Sequence, residues 1–93
     1  MRFELGEIVA TPQALELLTE GGIDPLQLLQ RHGRGDWGDL DDEDKAANEE
    51  ALTSGARLFS AYEFSNGKLW IITEATNDQG SRASTCILTP AEY

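Results

Sequence analysis

Asn66-Gly67, set between two segments rich in β-branched and aromatic residues, restricts the fold of this chain more than any other feature. Asn-Gly favours a type I′ turn, which needs positive φ at both central residues and whose twist matches that of the strands it joins. Arg57 to Phe64 and Leu69 to Ala75 are therefore expected to form an antiparallel hairpin around Ser65-Asn66-Gly67-Lys68. A two-residue loop pairs Phe64 with Leu69, Tyr62 with Ile71, Ser60 with Thr73 and Leu58 with Ala75 on one face. The opposite face pairs Glu63 with Trp70, Ala61 with Ile72 and Phe59 with Glu74. Because this second face is mixed rather than fully polar, the first is expected to meet the helices, leaving the second for partial cover or for contact. After a polar loop, Thr76 to Arg82, the residues Ser84 to Thr89 read as a third antiparallel strand, which Pro90 breaks.

The helical signals all lie upstream. Thr11-Pro12 is an N-cap followed by proline at the first helical position; Ala14, Leu15, Leu17 and Leu18 supply a buried stripe, and Gly21-Gly22 ends the helix. Asp24-Pro25-Leu26-Gln27 repeats the logic, with Gln27 placed to complete a capping box, and this second helix ends near Gly33. Arg34 to Leu40 reads as an ordered loop in which glycines surround Trp37. Asp41 then caps a third helix, with Leu40, Ala47 and Ala51 on one side, Leu52 beside them and Gly55 at its end. Ahead of everything, Glu7-Ile8-Val9-Ala10 is long enough for a brief extra strand. The fold class expected over residues 1–93, as one domain, is α+β: three N-terminal helices packed on a C-terminal three-stranded antiparallel meander, with that short N-terminal strand as an option.

Charge narrows the function classes. Seventeen Asp and Glu against seven Lys and Arg give a formal charge of -10. Such a field repels phosphate backbones and anionic lipid, so direct nucleic-acid or membrane binding is disfavoured and a basic protein surface is favoured. The lone Cys86 and the absence of an apolar leader at Met1 to Gly6 point to the cytoplasm. Acidity serves solubility as well, and an accessory or regulatory subunit would need nothing more.

The densest feature is Asp36-Trp37-Gly38-Asp39-Leu40-Asp41-Asp42-Glu43-Asp44; between positions 36 and 50 there are eight acids and one base, Lys45. The alternating acids and central glycine of an EF-hand are absent, so no metal site, cofactor or catalytic residue is assigned. A small metal-dependent hydrolase or nuclease would require the Asp36–Asp44 carboxylates to converge. His32, the only histidine, is expected to contact the terminal carbonyls of the second helix. Cys86 is expected to be an inert strand thiol; with His32 and an acid it makes a triad on paper that no spacing supports. Trp37 and Trp70 are either core anchors or binding hot spots. The surface expected to work is Asp36, Trp37, Asp39, Asp41, Asp42 and Asp44, charge speeding association and tryptophan supplying an apolar anchor.

Arg31-His32-Gly33-Arg34-Gly35-Asp36-Trp37-Gly38-Asp39-Leu40, with Asn48-Glu49 and Trp70-Ile71-Ile72-Thr73-Glu74-Ala75, resembles a family of small bacterial proteins borne on plasmids and other mobile elements. The likeness runs from Leu5-Gly6 to Pro90-Ala91-Glu92-Tyr93 and carries no catalytic residues. The likeness by itself assigns no function; taken with the charge and small size, that context points to a non-enzymatic binding module, in its most concrete form an inhibitor of a host nucleic-acid-processing defence complex of the CRISPR or restriction kind.

Overall fold

The computed structural model describes residues 1–93. In chain order the elements are β1 (Glu7–Ala10), α1 (Pro12–Gly21), α2 (Pro25–Gly33), α3 (Asp42–Ser54), β2 (Leu58–Phe64), β3 (Gly67–Thr73), β4 (Ser84–Leu88) and a 3-10 turn at Pro90–Glu92. The sheet order is β1-β4-β3-β2: β2, β3 and β4 form the antiparallel meander, and β1 pairs parallel to β4 at the far edge. The chain thus leaves one edge of the sheet, crosses its inner face as helices, and returns by the meander.

The caps form largely where the residues place them. The Thr11 hydroxyl accepts from the Ala14 amide, Asp24 from Leu26 and Asp41 from Asp44, each meeting an amide that a helix start leaves unpaired. The capping box expected at Asp24 and Gln27 does not close; one forms instead at the 3-10 turn, where Glu92 accepts from the Thr89 amide at 3.0 Å. That carboxylate also accepts from the Thr11 hydroxyl and, at 3.2 Å, from the Gln13 amide, so it sits at the positive end of α1 and ties the last turn to the first helix.

The hairpin forms, but its register differs from expectation by two residues. Phe64 pairs with Gly67, Tyr62 with Leu69, Ser60 with Ile71 and Leu58 with Thr73, so the turn residues are Ser65 and Asn66. A slip of two preserves which face each side chain occupies. The cause is tertiary. Asn66 Nδ2 donates to the Leu17 carbonyl at 3.1 Å, and the Leu17 side chain lies where a Cβ on Gly67 would sit. Gly67, at φ 146°, becomes the first strand residue, and no residue other than glycine has positive φ, so the type I′ turn is not made.

The inner face carries the main core: Tyr62, Leu69, Ile71 and Ile87 from the sheet against Ala14, Leu18, Leu28 and Leu29 from α1 and α2. A smaller cluster, Trp37, Ala51 and Leu58 with Phe3, Leu40 and Leu52 packed on it, seats α3. On α3 the buried residues are Asn48 and Ala51, whereas Ala47, expected inside, is exposed. Asn48 is buried because its amide completes a strand edge. Nδ2 donates to the Phe59 carbonyl at 2.6 Å and Oδ1 accepts from the Phe59 amide at 3.0 Å.

Arg82, at the end of what reads as a plain polar loop, is 6% exposed. Its guanidinium donates to the carbonyls of Ala56 (2.7 Å), Glu74 (2.9 Å) and Ala51 (3.1 Å), the last in the final turn of α3, where a cation is favoured. No carboxylate faces it, and burial lowers its pKa from the ordinary value. It fastens the C-terminus of α3 to the sheet.

Candidate functional site

The loop from Arg34 to Leu40 is fixed by β2. The Ala61 amide donates to the Trp37 carbonyl at 3.2 Å, the Asp39 amide to the Ala61 carbonyl at 2.7 Å, and the Glu63 amide to Asp39 Oδ2 at 2.7 Å. With Asn48 on Phe59, these bonds occupy the outward backbone groups of an edge strand that would otherwise invite another chain. Gly38 makes the approach possible: at φ 76° it lies against the Ala61 carbonyl and the Tyr62 ring, and a side chain there would strike both. The Tyr62 hydroxyl donates to the Asp36 carbonyl at 2.6 Å, and burial pushes its pKa up to about 12.

This geometry divides the six residues expected to form a partner surface. Trp37 is 4% exposed, stacked on Phe3 at 6.2 Å, with its Nε1 donating to Glu49 at 2.9 Å. It is a core residue, and the apolar anchor expected at that position is not at the surface. Of the glycines around it only Gly38 meets β2; Gly33 and Gly35 lie against the side chains of Met1 and Arg2. Asp36 accepts from Arg31 Nε at 2.7 Å and from the Gly38 amide at 3.2 Å; the guanidinium holds its carboxyl below the ordinary range. Asp39 holds the Glu63 amide and Asp41 caps α3. All five aspartates are exposed, but only Asp42 and Asp44, with Glu43 between them, make no side-chain hydrogen bond or ion pair.

Four ion pairs, Arg2–Glu49, Arg31–Asp36, Arg57–Glu74 and Lys68–Glu63, engage four of the seven basic side chains, and Arg82 is buried. Arg34 and Lys45 are the bases left to offset the remaining acids. No ion pair therefore forms at the first turn of α3, whose charge meets the helix dipole, worth roughly 0.3–1 kcal/mol per group.

No set of three or more His, Cys, Asp or Glu side chains converges as a metal site would require. The hydrogen bonds of Asp36, Asp39 and Asp41 hold those carboxylates on separate partners. Calorimetry with calcium, magnesium and manganese is expected to show no submillimolar binding. Binding that Asp36→Asn or Asp39→Asn abolished would bring the carboxylate-metal enzyme forward again.

His32 does not contact helix carbonyls as its sequence position suggests. It is fully buried, its ring set edge-on to Phe3 (5.1 Å) and Trp37 (5.8 Å), with Nδ1 2.5 Å from Ser60 Oγ and Nε2 2.9 Å from Thr73 Oγ1. The chain continues from Thr73 Oγ1 to Thr85 Oγ1 at 2.7 Å and from there to the Leu5 carbonyl at 2.6 Å. A carbonyl only accepts, which fixes the protons in turn as far as Nε2. Thr85 donates to Leu5, Thr73 to Thr85 and Nε2–H to Thr73. Burial lowers the imidazole pKa to about 4, so at neutral pH the ring is neutral, with its proton on Nε2, and Nδ1 accepts from Ser60. Ser60, Thr73 and Thr85 are as inaccessible as His32. This Ser-His contact is a core linkage with no route for substrate, and Cys86 lies across the sheet from it, half-buried beside Ile72.

The outer sheet face carries Phe59 and Ala61 on β2, Trp70 and Ile72 on β3, Cys86 and Leu88 on β4 and Val9 on β1. No helix covers it. The C-terminal 3-10 turn packs against β3, and Tyr93 crosses part of the face, edge-on to Trp70 at 5.6 Å, while Trp70 meets Phe59 edge-on at 5.0 Å. Arg57, Phe59, Trp70, Ile72 and Tyr93 enclose a groove of about 320 Å³. Alternation along the strands places Phe59, Trp70 and Ile72 on one mixed face; that Arg57 and Tyr93 would wall it is not legible, because no local signal folds the last turn back.

Comparison with family models, with curated proteins and with solved structures finds no match. No helix is long and apolar enough to cross a membrane.

Proposed function

We infer that this protein is a non-enzymatic binding module whose acidic surface recognises a protein with a basic face. The observation that carries this reading is the imbalance at the start of α3. Asp42, Glu43 and Asp44 are exposed and unpaired, while five of the seven basic side chains are spent on ion pairs or on buried carbonyls. Fixed, unpaired charge on a rigid helix speeds encounter with an opposite surface and repels wrong partners. The more specific version, inhibition of a nucleic-acid-processing defence complex whose basic groove normally holds DNA or RNA, takes its context from the resemblance to mobile-element proteins. It accords with a -10 chain that would compete for such a groove.

The test is capture from bacterial lysate at low salt, mass-spectrometric identification, and surface plasmon resonance on the captured protein. Asp41→Asn, Asp42→Asn and Asp44→Asn together are expected to slow association about ten-fold and to flatten its salt dependence, since exposed charges are screened within about 8–10 Å at ordinary ionic strength. Asparagine caps a helix about as well as aspartate, so the variant keeps α3. Unchanged binding at low salt would leave solubility as the sole role of the charge. A captured nuclease that still cleaved at full rate under saturating amounts of this protein would remove the inhibitor version.

A further inference from the structure

We propose that the groove formed by Arg57, Phe59, Trp70, Ile72 and Tyr93 on the uncovered sheet face takes one aromatic or large aliphatic side chain of a cationic protein segment. This rests on the acidic-module reading and supplies the apolar anchor that buried Trp37 does not. Three observations carry it. The walls are apolar and aromatic, and Trp70 and Phe59 are only half-buried although they sit mid-strand, so the groove has the composition of an interface hot spot. About 320 Å³ fits a side chain rather than a whole domain surface. The surroundings select the sign of the partner. Both bases of this face are neutralised, Arg57 by Glu74 at 3.6 Å and Lys68 by Glu63 at 3.3 Å, while Asp39 lines the adjoining hollow beside Trp70.

The acidic helix is also adjacent. Asn48 of α3 holds the backbone of Phe59, whose ring walls the groove, so a segment anchored there runs alongside α3. A second copy of the chain brings a further -10 to the same place, which like-charge repulsion opposes.

The probes are a short lysine-rich peptide with one central phenylalanine and the same peptide with serine there, titrated at low ionic strength into ¹⁵N-labelled protein. The phenylalanine peptide is expected to bind about ten-fold more tightly, since burying one such side chain is worth that much. It should also shift the Trp70 indole N–H together with the amides of Phe59 and Ile72. Tyr93→Ala, at a residue 71% exposed, is expected to erase most of the difference between the peptides without unfolding the chain. The shift map on the unsubstituted protein stands whether or not any variant folds. Equal affinity for the two peptides, with shifts confined to α3, would overturn the groove and leave the acidic reading standing. Binding of neither peptide would remove both. A concentration-dependent dimer in sedimentation, with the Trp70 indole shifting on dilution, would give the face to a second copy and overturn the proposal.

Discussion

Trp37→Ala is expected to cost about 3–5 kcal/mol, the range for truncating a core aromatic, out of the roughly 5–15 kcal/mol that holds a domain of this size together. The cost has named parts. The indole fills the space between Phe3, Ala51 and Leu58, and its Nε1–H satisfies Glu49, which also pairs with Arg2. Its backbone carbonyl receives the Ala61 amide, so collapse at this position also loosens the loop that covers the β2 edge. Urea unfolding with intrinsic fluorescence from the remaining Trp70 measures the loss. Trp37→Phe, which keeps most of the volume and drops the N–H, should lie well below the alanine value. A loss under about 1 kcal/mol for Trp37→Ala would mean that the side chain is not packed as described, and would restore it to the surface as a binding residue.

The second large effect is a pH dependence traceable to one residue. His32 is the sole histidine, and its folded pKa of about 4 lies below the ordinary 6.5. Between these values the unfolded chain binds a proton that the folded chain does not, so stability rises with pH across that window. The His32 contribution is complete above about pH 6.5 and is lost progressively as pH falls from there to about 4, amounting to about 3 kcal/mol. Between pH 5.5 and 6.5 the slope from His32 should be about 1 kcal/mol per pH unit. At lower pH the carboxyls of Asp36, Glu49 and Glu92, held below the ordinary range by their hydrogen bonds, add a loss of the same sign, while relief of repulsion among the other acids opposes it. Urea midpoints measured every half unit from pH 5 to 8 give the slope, and His32→Asn should flatten it. A flat profile in the unsubstituted protein would show that the imidazole is hydrated or charged when folded, contrary to its burial.

The hydrogen-bonded chain from Ser60 through His32, Thr73 and Thr85 to Leu5 also explains why the chain tolerates polar residues in its centre. Every member is satisfied, and no buried side-chain nitrogen or oxygen is left without a partner. It links β1's approach, α2 and three strands, so it fixes how those elements sit on one another in a way that apolar packing alone would leave looser.

Local chemistry made much of the fold legible. Proline at the first helical position, the Thr11, Asp24 and Asp41 caps, and the alternation along Leu58–Phe64 and Leu69–Ala75 each act within a few residues. Helix starts, strand faces and the α+β layering followed from them. The hairpin register did not. Asn66-Gly67 carries the signal of a type I′ turn, but a hydrogen bond to Leu17 and the packing of that side chain on Gly67 reward a turn two residues out of step. The partner surface fared likewise. Acids at a helix start are exposed almost wherever the helix lies, so Asp42 and Asp44 could be placed from sequence. Whether Trp37 or Trp70 reaches solvent depends on what packs over each: Trp37, between Asp36 and Gly38, is buried, while Trp70, between Leu69 and Ile71, is half-exposed. The tertiary structure buried Trp37 under Phe3 and α3 and left Trp70 on a face that no helix covers, because burial is settled by elements distant in sequence while capping and alternation are settled by neighbours.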